Sequence, residues 1–351
     1  MIRFDVGVFT YCGRYRATNE DSFLLCGRTA PEEKRKSSYG LSTLERKYGV
    51  AAVFDGMGGA KYGEVASGIV AELLIEHMED ILNLGRLGVD SYVVAANDAV
   101  CARARELRAP MGSTMVLISV SDESATVYNI GDSRAYLVRG NKIKQITKDH
   151  TVAASLSAIG MNGSAKNSSH QLTQHLGIPP DEIVVRAFSL GNFALESGDR
   201  ILLCSDGLTD GLDDRKLLSI ILQNKKPVEI SSELVKAAAE GGSKDNISAM
   251  VFLFKNDGKP AKKYKKFSSS EPEPTESPRS GKQAILPCET KPGKRGVVVG
   301  EKSAAGLPAF APKAASGKSM AGGDRFALFW LGNAVLALAL GFVLGVISRL
   351  I

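Results

Sequence analysis

The sequence predicts an α+β fold over residues 1–257, built on antiparallel sheet. Four strand-like segments, TMVLISV, ATVYNI, RAYLVR and KIKQIT, crowd into residues 114–147. Before them, residues 64–82 and 91–107 carry apolar side chains at helical spacing. After them, RILLC (200–204) and ISAMVFLF (247–254) bracket two helical stretches, 211–223 and 228–240. Strands joined by only a few residues pair antiparallel, because a parallel crossover needs a dozen residues or more. That argues against a doubly wound nucleotide fold.

The elements follow in order. The first helix rests on Val65, Ile69, Leu73, Leu74, Met78 and Ile81. The second rests on Val93, Val94, Val100, Ala104 and Leu107, with Asn97 interrupting its apolar face. The short link NLGRLGVD makes them an antiparallel pair. Gly140-Asn141 suits a tight turn between the last two crowded strands. The segment PEEKRKSSYGLSTLERK (31–47) reads as a long hairpin insertion, either a partner-binding element or a solvated loop.

Composition bounds the rest. The chain is 44% hydrophobic and 23% charged, ordinary for a globular protein. Its charge of +6 is uneven: residues 258–325 hold 14 Lys/Arg against 6 Asp/Glu, which leaves residues 1–257 at about −3. A nucleic-acid-binding core is therefore not expected. Five scattered cysteines without a C-x-x-C exclude zinc-finger and disulfide frameworks and suit a reducing compartment. MIRFDVGVFT lacks the long apolar run of a signal peptide.

Residues 258–325 hold eight of the thirteen prolines and runs such as SSSEPEPTESPRSG, the composition of a disordered linker. Within it KKYKKF (262–267) reads as a site for anionic lipid headgroups or as a solubilising charge run. Residues 326–347, FALFWLGNAVLALALGFVLGVI, contain Asn333 as their one polar side chain. As a helix they would cover about 33 Å, close to a bilayer core. Residues 348–351 form a short tail. Lys313, Lys318 and Arg325 on the N-terminal flank place residues 1–325 in the cytoplasm, anchored to the cell membrane by a single span. Gly341 and Gly345 are spaced for helix pairing.

Acidic residues recur where apolar runs meet glycine. AAVF stops at Asp55-Gly56, RILLC at Ser205-Asp206-Gly207, and YNI at Gly131-Asp132-Ser133-Arg134. Gly241-Gly242-Ser243-Lys244-Asp245-Asn246 precedes ISAMVFLF, and Asn19-Glu20-Asp21 precedes SFLLC. Any one Asp-Gly reads as a turn. Five such sites, none with His or Cys, suit oxygen ligation of hard divalent ions, since gathered carboxylates repel unless a cation neutralises them. Glycine lets a backbone carbonyl reach the metal. GMGGAK lacks the order of a phosphate-binding loop, and the four histidines show no ligand pattern.

In order, Arg16-x-x-Asn19-Glu20-Asp21, Asp55-Gly56-Met57-Gly58-Gly59, Gly112-Ser113-Thr114, Gly131-Asp132-Ser133-Arg134, Ser205-Asp206-Gly207-Leu208 and Asp245-Asn246-Ile247-Ser248 resemble the motifs of the metal-dependent protein phosphatases, the type 2C family. The resemblance covers about residues 3–255, and Met57 resembles the bacterial branch. It implies a four-layer αββα sandwich, two antiparallel sheets flanked by helix pairs. It also implies a centre of two Mn²⁺ or Mg²⁺ ions, with room for a third. On that carry-over Asp55 bridges both ions, the Gly56 carbonyl binds one, and Asp206 and Asp245 hold the other. Asp21 and Glu20 act mainly through metal-bound waters, Asn246 stands behind them, and Asp132 joins Asp206 at the third site. Arg16 pairs with the substrate phosphate. A water between the ions becomes a hydroxide that attacks phosphorus. Met57 stands where animal relatives have a proposed general acid, so the leaving-group acid is unassigned. Residues 150–182 align with a mobile substrate-recognition flap.

With the apolar run 326–347 as a tether, the resemblance implies a membrane-tethered protein serine/threonine phosphatase acting on phosphorylated proteins and opposing a Ser/Thr kinase. The rival expectations are a catalytically inactive adaptor of the same fold, which predicts a lost metal ligand, and a membrane-surface module, which leaves the acidic sites unexplained.

Overall fold

A computed structural model describes residues 2–32, 37–58, 62–121, 123–160 and 171–256. The predicted linker 258–325, membrane span 326–347 and tail 348–351 lie outside the described residues, as do KKYKKF, residues 33–36 of the insertion, Gly59 and residues 161–170 of the flap. Among the described residues no helix is long and apolar enough to cross a membrane.

The strands are β1 (Ile2–Tyr11), β2 (Ser22–Leu25), β3 (Ser38–Arg46), β4 (Gly49–Phe54), β5 (Gly56–Met57), β6 (Gly112–Ser113), β7 (Met115–Ser121), β8 (Ser124–Ile130), β9 (Arg134–Arg139), β10 (Lys142–Gln145), β11 (Asn192–Ala194), β12 (Arg200–Cys204) and β13 (Ile247–Asn256). The helices are α1 (Gly63–Leu84), α2 (Arg86–Leu107), α3 (Val152–Ala158), α4 (Asp206–Gly211), α5 (Asp214–Ile221) and α6 (Pro227–Glu240). One sheet runs β10-β9-β12-β13-β1-β3 and a second β11-β8-β7-β4-β2, with β5 and β6 as a separate pair. Every strand pairing among the described residues is antiparallel.

Strand alternation builds the layers. In β7, Val116, Ile118 and Val120 face the core between the sheets, while Met115 and Leu117 face α1 and α2. In β13, Met250, Phe252 and Phe254 enter the inter-sheet core, while Ile247, Ala249 and Val251 pack under α4, α5 and α6. Three apolar clusters separated by two sheets make the helix–sheet–sheet–helix sandwich. Two successive sets of side chains leave opposite faces of one strand, so each sheet is buried on both sides.

Some elements depart from the sequence reading. Segment 31–47 is not a hairpin insertion or a solvated loop: its described part holds β3, which pairs with β1 along Phe4↔Arg46 to Tyr11↔Ser38. The eight-residue link between the first helices shrinks to Gly85, whose φ of 55° reverses the chain. The stretch 211–223 narrows to α5, which starts at Asp214 because Asp213 caps it by accepting the Lys216 N–H at 2.8 Å, and the unexpected α4 precedes it. The described part of the flap contains α3, capped by Thr151.

Candidate active site

Asp55 ends β4 and is clamped by Thr114. The Asp55 N–H donates to Thr114 Oγ1 at 3.0 Å, and the Thr114 N–H donates to the Asp55 carbonyl at 2.8 Å. Thr114 Oγ1 also shares a 2.7 Å hydrogen bond with Ser133 Oγ, tying Asp55 to the turn that carries Asp132. That turn requires glycine at 131, where φ is +91° and a Cβ would lie 2.7 Å from Thr114 Cγ2. His150 supports it from behind. The Gly131 N–H donates to His150 Nδ1 at 3.1 Å, and the His150 N–H donates to the Gly131 carbonyl at 3.0 Å.

Asp206 opens α4 directly after β12, and Asp245 lies just before β13. Gly207 lets the two meet, since a Cβ there would run into the Asn246 carbonyl. Asn246 stitches the segment between β1 and β2 to this corner. Its Oδ1 accepts the Glu20 N–H at 2.8 Å, and its Nδ2 donates to the Cys12 and Thr18 carbonyls at 2.8 and 3.0 Å. Arg16, from the same segment, donates through Nη2 to Asp245 Oδ2 at 2.6 Å. The Glu20 carboxylate and the Gly56 carbonyl both lie beside Gly63 at the start of α1.

Asp21 is buried. Its Oδ2 accepts hydrogen bonds from Ser205 Oγ at 2.7 Å and Ser248 Oγ at 2.6 Å. Its Oδ1 is buried without a hydrogen-bond partner among the described residues. Sequence reasoning gave no role to Ser205, Ser248, Thr114 or His150. The available signal was polar side chains inside apolar runs: Ser248 is the one hydroxyl in ISAMVFLF.

The charges converge. Burial pushes the Asp55 carboxyl well above the ordinary range, and the charges of Asp21, Asp206, Asp132 and Asp245 push it further. Asp21 is raised to about 7 by burial, against the pull of its two serine hydroxyls. Asp132 is raised to about 7 by burial and by Asp206. Glu20 is raised by burial, with Arg16 opposing. The structure therefore brings Asp21, Asp132, Asp206 and Asp245 within electrostatic reach of Asp55, with Arg16, Glu20, Gly56 and Asn246 at the same end of the sandwich.

Among the described residues no three His, Cys, Asp or Glu side chains already close on one point as ligands would. Asp245 leans on Arg16, and Asp21 commits one oxygen to hydroxyls. The donor set fits a hard divalent cation all the same. It is oxygen only, its members repel one another, and Asp21 Oδ1 is buried without a hydrogen-bond partner among the described residues. Asp55, Asp206, Asp245, Asp21 and Asp132, with the Gly56 carbonyl, would hold such ions.

A family model described as protein phosphatase 2C matches residues 37–239. The serine/threonine protein phosphatase PstP of Mycobacterium tuberculosis is 34% identical over 251 residues, which is 68% of this chain and 43% of that protein. The chain thus spans less than half the length of that relative. The protein phosphatase PhpP of Streptococcus pneumoniae is 30% identical over 213 residues, 58% of this chain and 85% of that protein. A crystal structure of the catalytic domain of PstP in complex with two manganese ions is similar with a TM-score of 0.58 and 28% identity, over 73% of this chain and all of that one.

Proposed function

The chain belongs to the protein phosphatase 2C family, and from that premise we propose that it is a metal-dependent protein serine/threonine phosphatase hydrolysing phosphoserine and phosphothreonine on proteins. The observation that carries the proposal is the gathering of four carboxylates around Asp55 with oxygen-only donors. The manganese-bound relative supports the same cation class. Bound Mn²⁺ or Mg²⁺ would acidify a water and offset the charge of the phosphate.

The chain's own residues do the positioning. Thr114 fixes the backbone of Asp55 from both sides. Asn246 and Asp245 hold Glu20 and Arg16 at the mouth of the site. Arg16 is 42% exposed there, and its planar fork can keep one arm on Asp245 while the other meets a phosphate oxygen. Met57 offers no proton, so the leaving alkoxide draws its proton from another group.

Asp55→Asn and Asp206→Asn test this reading. Each should lower Mn²⁺-dependent hydrolysis of a phosphothreonine peptide by more than about 10²-fold while the far-UV circular dichroism stays native. Retained activity in both variants overturns the metal assignment. A wild-type chain that binds the peptide without hydrolysing it supports the adaptor instead.

The proposal extends to location. Residues 326–347 tether the catalytic domain to the cytoplasmic face of the membrane, where it opposes a Ser/Thr kinase. The apolar run and its basic N-terminal flank support this. A chain ending at residue 325 should leave the membrane fraction and keep its activity; a full chain found in the soluble fraction contradicts the tether.

A further inference from the structure

Four side chains from three separate parts of the chain end on one oxygen of Asp21. Asn19 Nδ2 donates to Thr10 Oγ1 at 2.6 Å, Thr10 Oγ1 and Ser248 Oγ lie 2.7 Å apart, and Ser248 Oγ donates to Asp21 Oδ2 at 2.6 Å. Ser205 Oγ donates to the same Oδ2 at 2.7 Å while accepting the Ser248 N–H at 3.0 Å.

The direction of every proton in this relay is fixed. Asn19 Oδ1 accepts the Asp21 N–H at 3.2 Å, so the amide cannot be turned over without setting donor against donor. An ionised Asp21 only accepts, so Ser248 must donate to it. Thr10 must then donate to Ser248. All four residues are buried. The register places Thr10 opposite Ser248 in neighbouring strands, and β12 ends beside them at Cys204↔Ala249. One carboxylate oxygen is saturated and locked, while the other, Oδ1, is buried and without a hydrogen-bond partner among the described residues.

We propose that Ser248 and Ser205, held by Thr10 and Asn19, are positioning residues that lock Asp21 through Oδ2 and so present Oδ1 to a divalent cation. The inference rests on the metal-dependent reading above and deepens it. A carboxylate held by one oxygen loses its rotational freedom before the cation arrives, so binding spends less on ordering it. Without the Ser248 hydroxyl, Ser205 alone holds Oδ2.

Calorimetric titration of MnCl₂ into the metal-free full-length chain tests it. Ser248→Ala and Ser205→Ala should each weaken Mn²⁺ binding by about 10- to 100-fold, and Ser248→Thr, which keeps a hydroxyl, should restore it. Thr10→Val removes one hydroxyl at nearly constant shape and should weaken binding less than Ser248→Ala does. It is also the variant to use if Ser248→Ala fails to fold, as judged by circular dichroism without metal. A folded Ser248→Ala, or in its place Thr10→Val, with wild-type Mn²⁺ affinity overturns the inference, because a purely structural role would lower the metal-free melting temperature and leave affinity alone. Asp21→Asn separates the two levels. A wild-type chain that takes up no Mn²⁺ overturns the proposed function itself. Binding that weakens in Asp21→Asn but not in Ser248→Ala overturns this inference alone.

Discussion

At the scale of single residues, the Arg16–Asp245 ion pair is partly solvated, with side chains 42% and 31% exposed. Such a pair adds at most about 1 kcal/mol to stability. If Arg16 meets substrate phosphate, its worth lies in turnover instead. Arg16→Ala should therefore leave the melting temperature within about 4 °C of wild type. It should lower kcat/KM for a phosphopeptide on the order of 10²-fold. Steady-state kinetics beside a thermal melt check both, and an unchanged kcat/KM would remove Arg16 from the site. The acidic residues were legible in the sequence because Asp55, Asp132 and Asp206 stand beside glycine where apolar runs end, and Asp21 and Asp245 stand just before such runs. The hydroxyls behind them were not. Thr10 and Ser248 are 238 positions apart and meet only through the pairing of β1 with β13.

At the scale of elements, the inter-sheet core depends on aromatic contact across β1 and β13. Phe252 is buried between Phe4, whose ring centroid lies 5.6 Å away, and Phe254, at 6.1 Å. Phe252→Ala should cost about 3–5 kcal/mol, measured by chemical denaturation. A loss below about 1 kcal/mol would mean that the two sheets do not close on a common core. Strands β9 and β12 were legible with their observed bounds, because continuous apolar runs flanked by turn residues mark a strand buried on both faces. Strand β1 was not, because Asp5, Gly7 and Thr10 interrupt it, and each interruption has a tertiary reason. Asp5 pairs with Lys255 at 2.6 Å. Gly7 lies against the backbone of α6 at Val228, and its carbonyl accepts the Ser231 hydroxyl at 2.9 Å. Thr10 belongs to the Asp21 relay. Strand β3 was hidden by its polar composition, which an edge position tolerates.

At the scale of the whole molecule, the acidic cluster opposes folding when no cation is present. Asp21 and Asp132 have folded pKa values of about 7 against an ordinary 3.8. A carboxyl raised in this way contributes stability that is full below its unfolded pKa and is lost as pH rises through about 7. His150 and His175 are lowered by burial, so their contribution is full above 6.5 and is lost only below it. Between about pH 6.5 and about pH 8 the aspartates therefore set the slope. The chelator-treated chain should melt at a lower temperature at the higher pH. Saturating Mn²⁺ should shrink or reverse the difference, because ligation requires the deprotonated carboxylates. A chelator-treated chain that gains stability over this window contradicts the electrostatic account.

The central claim is that carboxylates scattered from Asp21 to Asp245 meet at one end of the sandwich to hold divalent cations. Anomalous diffraction at the manganese edge, from crystals of this chain grown with MnCl₂, reads the cations directly. The account predicts a pair of manganese peaks among Asp55, Asp206 and Asp245, with Asp21 Oδ1 facing them. Peaks elsewhere, or none beside Asp55, would contradict it.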